Sequence, residues 1–313
     1  MVGILLSTVA FSGCFESSPK TIYVDDDGTA DYTKILDALG QAHDGDTIFV
    51  YDGIYYETLF LNHSINLVGE SKENTVFDFR GLIDSPYDSV IIVNADNCTI
   101  SNLRIIGIEG TSDLNGITLN SSYNRISNVS VEQTYQGIYL DEYSTNNFIL
   151  HCNLSHNKYG ISTRRSYNDN ITYNSFFMNS IYGVYLSASD NNIVASNSIT
   201  YNDLGLRIKS SDENLVFNNF IASNDKGLWF CCGAGGNKVY HNSFINNYEY
   251  NGQDEVGNQW DDGEVGNYWD DYNVTYPNAT EINGIWNIPY EIYNSGHTQV
   301  HQDRYPLVNP IDE

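Results

Sequence analysis

Residues 182–230 read YGVYLSASDNNIVASNSITYNDLGLRIKSSDENLVFNNFIASNDKGLWF. The stretch repeats one pattern, in which a glycine opens a short strand of alternating apolar residues and further short apolar runs follow between asparagines. Gly183, Gly205 and Gly227 are 22 residues apart. A period held this closely predicts a repeat protein whose coils stack on one another.

The same pattern extends towards the N-terminus, where the glycines are spaced 21, 23 and 23 residues apart. The upstream glycines are Gly116, Gly137 and Gly160. Two asparagine series recur with the same period: Asn157, Asn179, Asn202, Asn224 and Asn246, and Asn153, Asn174, Asn197, Asn219 and Asn242. We expect each series to form a hydrogen-bonded ladder at a corner that requires a left-handed residue, a conformation that asparagine tolerates.

Period-two alternation buries one side of each strand, and parallel stacking places coils about 4.8 Å apart. Nothing recurs at the helical period of 3.6, which excludes a helical repeat. A left-handed hexapeptide helix has coils of roughly 18 residues and fits less well. The sequence therefore predicts an all-β fold, a right-handed parallel β-helix with coils of about 22 residues.

Non-repetitive segments flank the predicted solenoid. An amphipathic helix is predicted from about Asp31 to His43, ending before Gly45, and it would cover the first coil. We expect residues 1–19 to be a signal and linker, residues 20–250 the β-helix with its N-terminal cap, and residues 251–313 an irregular C-terminal cap rich in Trp and Asp. Caps are needed because an open edge strand invites end-to-end aggregation.

The N-terminal residues MVGILLSTVAFSG are apolar or small and end directly before Cys14. This pattern is typical of a lipoprotein signal, in which the cysteine carries the lipid, although no Lys or Arg precedes the apolar run. No later stretch has the ~20 apolar residues of a membrane helix. We therefore expect a protein at the cell surface or in the periplasm, touching the membrane only through lipid on Cys14.

The chain has 40 acidic and 14 basic residues, a formal charge of −26. Such a charge repels nucleic acid, and it favours cations or a polar polymer as partners. The other cysteines, Cys98, Cys152, Cys231 and Cys232, do not fall in register on adjacent coils, so no disulfide framework is predicted. We expect a monomer stabilised by stacking.

Several segments resemble the NosD-like family of right-handed parallel β-helices, which have a pectin-lyase-like fold and repeats of the carbohydrate-binding and sugar-hydrolase type. The resemblance begins in residues 21–57, continues through the GIYL-type coils, and ends in GNYWDDY at 266–272, PYEI at 289–292 and DRYPL at 303–307. It implies an exported β-helix. Some relatives are accessory proteins for copper delivery, and others are surface proteins without assigned chemistry.

One outward-facing strip of the repeated strand is the candidate ligand-binding surface. In the pattern Gly-apolar-x-apolar-x, the x positions should point outward and align between coils. They carry aromatic rings, which stack on sugars, and cations, which pair with carboxylates or sulfates. The candidates are Tyr139, Asp141, Arg164, Tyr185, Arg207, Lys209 and Trp229, and Cys231 is expected outside as well. Aromatic columns also stabilise parallel sheets by stacking alone.

A catalytic use of this strip is the rival hypothesis. A polysaccharide lyase or epimerase needs a base and a charge neutraliser, for which Arg207, Lys209 or Tyr185 are the candidates. The tripeptide Arg207-Ile208-Lys209 is reminiscent of polygalacturonases, which are hydrolases, but their NTD, DD and GHG elements are missing. The preferred prediction is a protein that binds or organises carbohydrate, such as a cell-envelope polymer, without catalysis.

The sequence offers candidate ligands for two metals, calcium and copper. Asp261, Asp262, Asp270 and Asp271 belong to the densest acidic cluster, and Ca²⁺ is the candidate cation for these oxygen ligands. The alternative is a set of solvated acidic turns around an aromatic cap core. Copper favours thioether and imidazole ligands, but the chain has only Met178 beyond Met1 and seven scattered histidines, which argues against copper.

Overall fold

The structure is a computed structural model that describes residues 18–81, 87–110 and 113–311. Cys14, the predicted lipidation site, lies outside the described residues. In the described part of the chain, no helix is long and apolar enough to cross a membrane.

Short strands make up most of the structure. In the first half of the chain they are β1 Thr21–Val24, β2 Thr47–Val50, β3 Gly53–Tyr55, β4 Leu59–Leu61, β5 Asn66–Gly69, β6 Thr75–Asp78, β7 Ser89–Val93, β8 Thr99–Ile106, β9 Asn115–Leu119, β10 Arg125–Glu132, β11 Gln136–Leu140, β12 Phe148–Leu150 and β13 Asn153–Ser155.

In the second half they are β14 Tyr159–Arg164, β15 Asn170–Thr172, β16 Ser175–Phe177, β17 Tyr182–Ser187, β18 Ile193–Ala195, β19 Ser198–Thr200, β20 Leu204–Lys209, β21 Leu215–Phe217, β22 Phe220–Ala222, β23 Lys226–Cys231, β24 Lys238–Tyr240, β25 Ser243–Ile245, β26 Tyr250–Asp254, β27 Tyr268–Trp269, β28 Glu281–Ile282, β29 Ile285–Trp286, β30 Tyr290–Tyr293 and β31 Gln299–Asp303. The helices are α1 Ile35–Leu39, α2 Tyr272–Thr275 and one 3-10 turn, Phe79–Gly81.

Apart from the antiparallel cap pairs β28–β29 and β30–β31, the strands stack in parallel into a right-handed parallel β-helix, as predicted, with about 10 turns spaced about 23 residues apart. Each typical coil has three faces. The long face contains β9, β11, β14, β17, β20, β23 and β26. The first short face contains β12, β15, β18, β21 and β24, and the second short face contains β13, β16, β19, β22 and β25.

The core is built by alternation, because every second side chain of each strand points inward. On the long face, Val184 and Leu186 are fully buried and lie above Leu206 and Ile208 of the next coil. The same holds on both short faces, where Val194 and Ile199 are fully buried. Each such side chain contributes about 1.5–3 kcal/mol through the apolar surface it removes from water.

The asparagines form ladders at the corners, with two corrections to the predicted series. The first ladder runs Asn157, Asn179, Asn202, Asn224 and then Asn247 instead of Asn246. The second runs Asn174, Asn197, Asn219, Asn242 and Asn267, and Cys152 instead of Asn153 occupies its preceding position. A third ladder was missed: Asn124, Asn147, Asp169, Asn192, Asn214, Asn237 and Asn258.

The rung from Asn179 to Asn202 is representative of most of the asparagine rungs. The backbone N–H and the side-chain Nδ2 of Asn179 both donate to Oδ1 of Asn202 in the next coil, each at 2.9 Å, and Nδ2 also donates to the carbonyl of Leu154 at 3.0 Å. The ladder asparagines are not themselves left-handed, contrary to expectation. Except at Asn267, the residue before each one is, as at Met178 (φ 55°) and Tyr201 (φ 59°). The left-handed residue makes the turn, and the buried carboxamide beside it forms hydrogen bonds with backbone N–H and C=O groups of neighbouring coils.

The recurring glycine is explained by close approach between coils. A Cβ atom on Gly183 would lie 2.7 Å from the carbonyl oxygen of Gly205 and 2.9 Å from Ile199, and its φ is not in the left-handed region. A Cβ atom on Gly205 would lie 2.8 Å from the carbonyl oxygen of Gly227. The column of glycines therefore lets three backbone layers pack at one edge of the long face.

Both ends of the solenoid are covered. Helix α1 is shorter than predicted, because Asp31–Lys34 are not helical and Tyr32 bridges to Val24. The carboxylate of Glu57 accepts the first two helical N–H groups, at Ile35 and Leu36, both at 2.9 Å. At the other end, parallel stacking continues past the predicted boundary at residue 250, since β26 pairs with β23 and β27 with β25.

The C-terminal cap has an aromatic core. Trp260, Trp269 and Tyr272 are almost fully buried. Trp269 stacks on Phe244 of the last regular coil at 4.6 Å and on Tyr290 at 4.2 Å between ring centroids. Asp254 accepts hydrogen bonds from the indole of Trp260 and from Asn258, which ends the third ladder. The cap is therefore joined to the solenoid by aromatic stacking and by the carboxylate of Asp254, which binds both Trp260 and the last asparagine of the third ladder.

Gly183→Ala should destabilise the fold through its contact with the next coil. Relieving that overlap costs about 1–3 kcal/mol, which thermal unfolding will report as a lower Tm. Gly235→Ala is the matched control, because the nearest atom to its Cβ would be 3.8 Å away. Equal Tm values for the two variants would contradict the close packing of the glycine column.

Asp169→Asn should stabilise the protein at neutral pH. Asp169 occupies a ladder position, and burial raises its pKa to about 6 although Ser166 and Asn147 donate hydrogen bonds to it. The contribution of the protonated Asp169 carboxyl to stability is fully present below its pKa in the unfolded state, about 3.9. It is lost as the pH rises through the folded value of about 6.

Urea unfolding at pH 4 and pH 7 measures this effect. At pH 7 the free energy of unfolding of Asp169→Asn should exceed that of the wild type by about 1–3 kcal/mol. This difference should largely disappear at pH 4. A gain that is the same at both pH values would show that Asp169 does not titrate in this range.

Candidate functional site

The outward side chains of the long face form aligned columns. Strand register places Tyr139, Ser162, Tyr185, Arg207 and Trp229 in one column. Tyr159 and Tyr182 belong to the column on one side, and Arg164, Ser187, Lys209 and Cys231 form the column on the other. These three columns are called the long-face strip below.

Arg207 is the centre of this strip. Its guanidinium carbon lies 4.6 Å from the ring centroid of Trp229, 5.4 Å from that of Tyr182 and 5.6 Å from that of Tyr185. One terminal nitrogen hydrogen-bonds to the Tyr182 hydroxyl and the other lies 3.5 Å from the sulfur of Cys231. The Nε–H group is buried and has no hydrogen-bond partner in the described structure.

The environment keeps Arg207 charged. Burial acts to lower its pKa, but the hydrogen bonds to Cys231 and Tyr182 outweigh that effect and raise the pKa above its ordinary value. Neither Arg207 nor its neighbour Lys209 has an ion-pair partner among the described residues, whereas Lys226 lies 3.6 Å from Asp203 and 3.4 Å from Glu249. The strip therefore contains two adjacent cations that no carboxylate of the described chain neutralises.

A run of tyrosines extends the aromatic surface away from Arg207. The ring centroids of Tyr135 and Tyr159 are 5.4 Å apart, those of Tyr159 and Tyr182 are 5.3 Å apart, and those of Tyr182 and Tyr185 are 5.1 Å apart. Lys158 lies over the Tyr135 ring at 4.8 Å. The surface thus alternates ring edges, ring faces and cations along several coils.

The predicted strip residues divide into two groups. Arg207 contacts both Tyr185 and Trp229, and Lys209 lies beside it on β20. Further along the strip, Tyr139 on β11 donates to Asp141 at 2.8 Å, and Arg164 on β14 lies 3.4 Å from Glu142. Cys231 was expected outside, but only 2% of it is exposed, because the Arg207 side chain lies against its sulfur.

The strip runs into a pocket of about 600 Å³ that the sequence did not reveal. Tyr250 and Gln253 continue the long-face columns into it, and the cap contributes Asp271, Tyr290 and Glu291. Burial raises the pKa of Asp271, while the hydroxyl of Tyr290 donates to both of its oxygens at 3.1 and 3.0 Å. The aromatic cap segment was the only signal, and it did not predict which residues meet.

The four acidic metal candidates do not converge. Asp261 receives two hydrogen bonds from the guanidinium of Arg304, at 3.0 and 2.5 Å. Burial opposes ionisation of Asp261, but the bonds from Arg304 hold its pKa below its ordinary value. Asp262 closes a turn, and Asp270 and Asp271 both bind Asn251. Their carboxylates are thus used for structural contacts in the cap.

Within the described ranges, one group of three potential ligands was found, Asp25, Asp26 and Asp27. These carboxylates lie in a turn, where Asp26 accepts the N–H of Ile54 at 3.0 Å. The histidines are dispersed: His151 stacks on Tyr173, and His241 bonds to Asn218 four coils further on.

The comparisons with known proteins agree with this architecture. A family model described as "Periplasmic copper-binding protein (NosD)" matches residues 39–274. A search of curated proteins found no match.

Solved structures with a similar fold include the Dettilon tailspike protein gp208, with TM-score 0.59, 14% identity and coverage of 79% of this chain and 62% of that one. Pectate lyase Pel9A has TM-score 0.56 at 14% identity, covering 80% and 74% of the two chains. DFA-IIIase from Arthrobacter chlorophenolicus A6 has TM-score 0.59 at 14% identity, covering 79% and 78%. The chain thus spans less than two thirds of the tailspike, and at these identities the likeness concerns the fold alone.

Proposed function

This chain belongs to the NosD family, and from that premise we propose that it is an exported β-helix that binds an acidic glycan along the long-face strip without transforming it. The observation that carries the proposal is Arg207, a charged guanidinium held among the rings of Tyr182, Tyr185 and Trp229 without a carboxylate partner in the described structure. The family is periplasmic, which agrees with a location outside the cytoplasm.

The chemistry of the strip matches a sugar polymer that carries carboxylates. Aromatic rings provide flat apolar faces for sugar rings, and a guanidinium binds a carboxylate with planar, directional hydrogen bonds. Lys209, two residues after Arg207 on β20, adds a second positive charge on the same side of the strand. Because the protein as a whole has a charge of −26, an acidic ligand has to be held by such a local site and not by the overall field.

Binding is favoured over catalysis because two phenols of the strip are poor proton acceptors. Burial raises the pKa of Tyr139 and of Tyr159 to about 12, so both phenols remain protonated at neutral pH. Arg207 is held in its charged form. A lyase or epimerase would need one of these groups to accept a proton near neutral pH.

One observation favours a catalytic alternative, a hydrolase centred on the cap pocket at the end of the strip. Asp271 has a raised pKa there, and Glu249 and Glu291 line the same pocket. A carboxyl whose pKa is raised by burial near a second carboxyl group is an arrangement that glycosidases use. In this alternative, reducing ends would accumulate with an oligogalacturonate substrate, and Asp271→Asn would abolish them.

Copper delivery, which the family description suggests, does not fit the residues that the structure describes. Cys98 and Cys152 are buried in the core, and burial raises the pKa of both thiols. Cys231 lies against the guanidinium of Arg207, which disfavours a second cation. The one cluster of potential ligands has only carboxylates, which suit hard cations better than copper.

Binding of an oligogalacturonate and an oligomannuronate, measured by calorimetry, tests the proposed function. Trp229→Ala and Arg207→Ala should each weaken binding by about tenfold, the first through a lost stacking face and the second through a lost charge-assisted hydrogen bond. The Arg207 effect should shrink as salt rises, because exposed charges are screened over ~8 Å at physiological ionic strength. The Trp229 effect should persist.

Arg125→Ala is the control, since Arg125 is an exposed cation on the first strand segment of β10, away from the strip. Thermal unfolding establishes that each variant is folded. If neither uronate binds the wild type, or if Arg125→Ala weakens binding as much as Arg207→Ala, the strip is not an acidic-glycan site.

We also propose that Cys14 carries lipid and anchors the protein to the membrane, because it directly follows an apolar, small-residue run. Mass spectrometry of detergent-extracted protein should find a mature chain that begins with a lipid-modified Cys14. Cys14→Ser should release the protein into the soluble fraction. An unmodified Cys14 within an uncleaved N-terminus would refute the anchor.

A further inference from the structure

We propose that the outer surface of the corner between the two short faces is a second binding groove, which takes an uncharged linear oligosaccharide. The groove has a volume of about 740 Å³ and lies on a different side of the coil from the long-face strip. It is called the corner groove, and its lining residues used below are Asn128, His151, Tyr173, Ser196, Asn218 and His241.

These six residues occupy the same position in six successive coils. Each is left-handed, with φ between 53° and 58°, and from Tyr173 onward each directly precedes a buried asparagine of the second ladder. Ser196 and Asn218 show that a small polar residue is sufficient to make the turn. The rings of Tyr173 and His151 are therefore not required by the backbone.

Tyr173 provides the apolar platform of the groove. It is 60% exposed, and one face of its ring stacks on His151, with centroids 5.2 Å apart and planes 16° apart. The opposite face is directed away from His151, towards the coil that carries Ser196. Because the serine side chain is small, that ring face remains accessible to a flat, partly apolar ligand such as a sugar ring.

The rest of the lining supplies hydrogen-bonding groups without negative charge. The second short face contributes Asn153, Ser175 and Phe220, and Lys72 and Ile311 complete the lining. Among the residues that the structure describes, none of those lining the groove is a carboxylate, although the chain has 40 acidic residues. Amides and hydroxyls that both donate and accept hydrogen bonds match the hydroxyl groups of a sugar.

The shape of the groove indicates a polymer. Asn128 and His241 are five coil steps apart, and at about 4.8 Å per step the column is roughly 24 Å long. A regular column of similar polar groups repeats the same contact along an extended ligand. His151 and His241 are too far apart in this column to bind one metal ion together.

An uncharged ligand fits better than an acidic one. The groove itself has one lysine and two histidines, but the molecule as a whole has a charge of −26 and repels polyanions at a distance. The corner groove has no counterpart of the Arg207 and Lys209 pair. It therefore differs from the long-face strip in ligand charge as well as in position, and it does not depend on the function proposed for that strip.

Calorimetric titration with cellopentaose, xylopentaose and mannopentaose tests this inference, with an oligogalacturonate as the charged comparison. At least one uncharged pentaose should bind, with an affinity that is insensitive to salt. Tyr173→Asn should weaken binding about tenfold by removing the ring face, since asparagine tolerates the left-handed conformation. Ser196→Tyr should weaken it as well, by covering the ring face while Tyr173 is intact.

Tyr201→Asn is the matched control. Tyr201 is also a left-handed corner residue, with φ 59° and 57% exposure, but it makes an edge-to-face contact with Phe177 at the following corner, outside the groove. Tyr201→Asn and Trp229→Ala should leave the affinity unchanged. The inference is overturned if no uncharged pentaose binds at millimolar concentration, if only the oligogalacturonate binds, or if Tyr201→Asn or Trp229→Ala weakens binding as much as Tyr173→Asn.

Discussion

The structure depends on one hydrogen bond that repeats at the corners, from the backbone N–H of one coil to the side-chain oxygen of an asparagine in the next. A bent backbone leaves N–H and C=O groups that cannot pair within their own strand, and burial of such groups without partners is costly. The asparagine carboxamide pairs both kinds of group, because its oxygen accepts a hydrogen bond from a backbone N–H and its NH2 group donates one to a backbone C=O. At Asn202 the same side chain accepts from Asn179 and donates to the carbonyl of Phe176 at 3.1 Å.

The ladder also determines what the surface can present. A rung requires an asparagine inside and a left-handed residue outside, and it is indifferent to the outer side chain as long as that conformation is tolerated. The outer columns are therefore available for recognition without cost to the core. The corner groove uses one of these columns, and the long-face strip uses the outward positions of the strands in the same way.

The two surfaces differ in how their polar groups are satisfied. On the strip, the guanidinium of Arg207 is enclosed by aromatic rings, and its Nε–H has no hydrogen-bond partner in the described structure. The strip therefore has its positive charge at one localised position. In the groove, amides and hydroxyls are spread along six coils, and no carboxylate occurs among the described lining residues. The family description of a copper-binding protein finds no matching donor set among the described residues.

The sequence alone determined the solenoid, its period and the outward columns, because Gly183, Gly205 and Gly227 and the strand alternation between them leave one way to stack. It did not determine which asparagine of a pair such as Asn246 and Asn247 enters the core, because both are chemically equal and only the turn decides which one points inward. Tertiary structure alone decided that Cys231 lies beneath Arg207, that Asp261 pairs with Arg304, and that Asp271 and Tyr290 meet at the end of the strip. The last two contacts join cap residues whose separation follows no period, so their geometry arises only when the cap folds onto the last coil. The first lies between adjacent coils, where only the side-chain conformation of Arg207 determines that it covers the Cys231 sulfur.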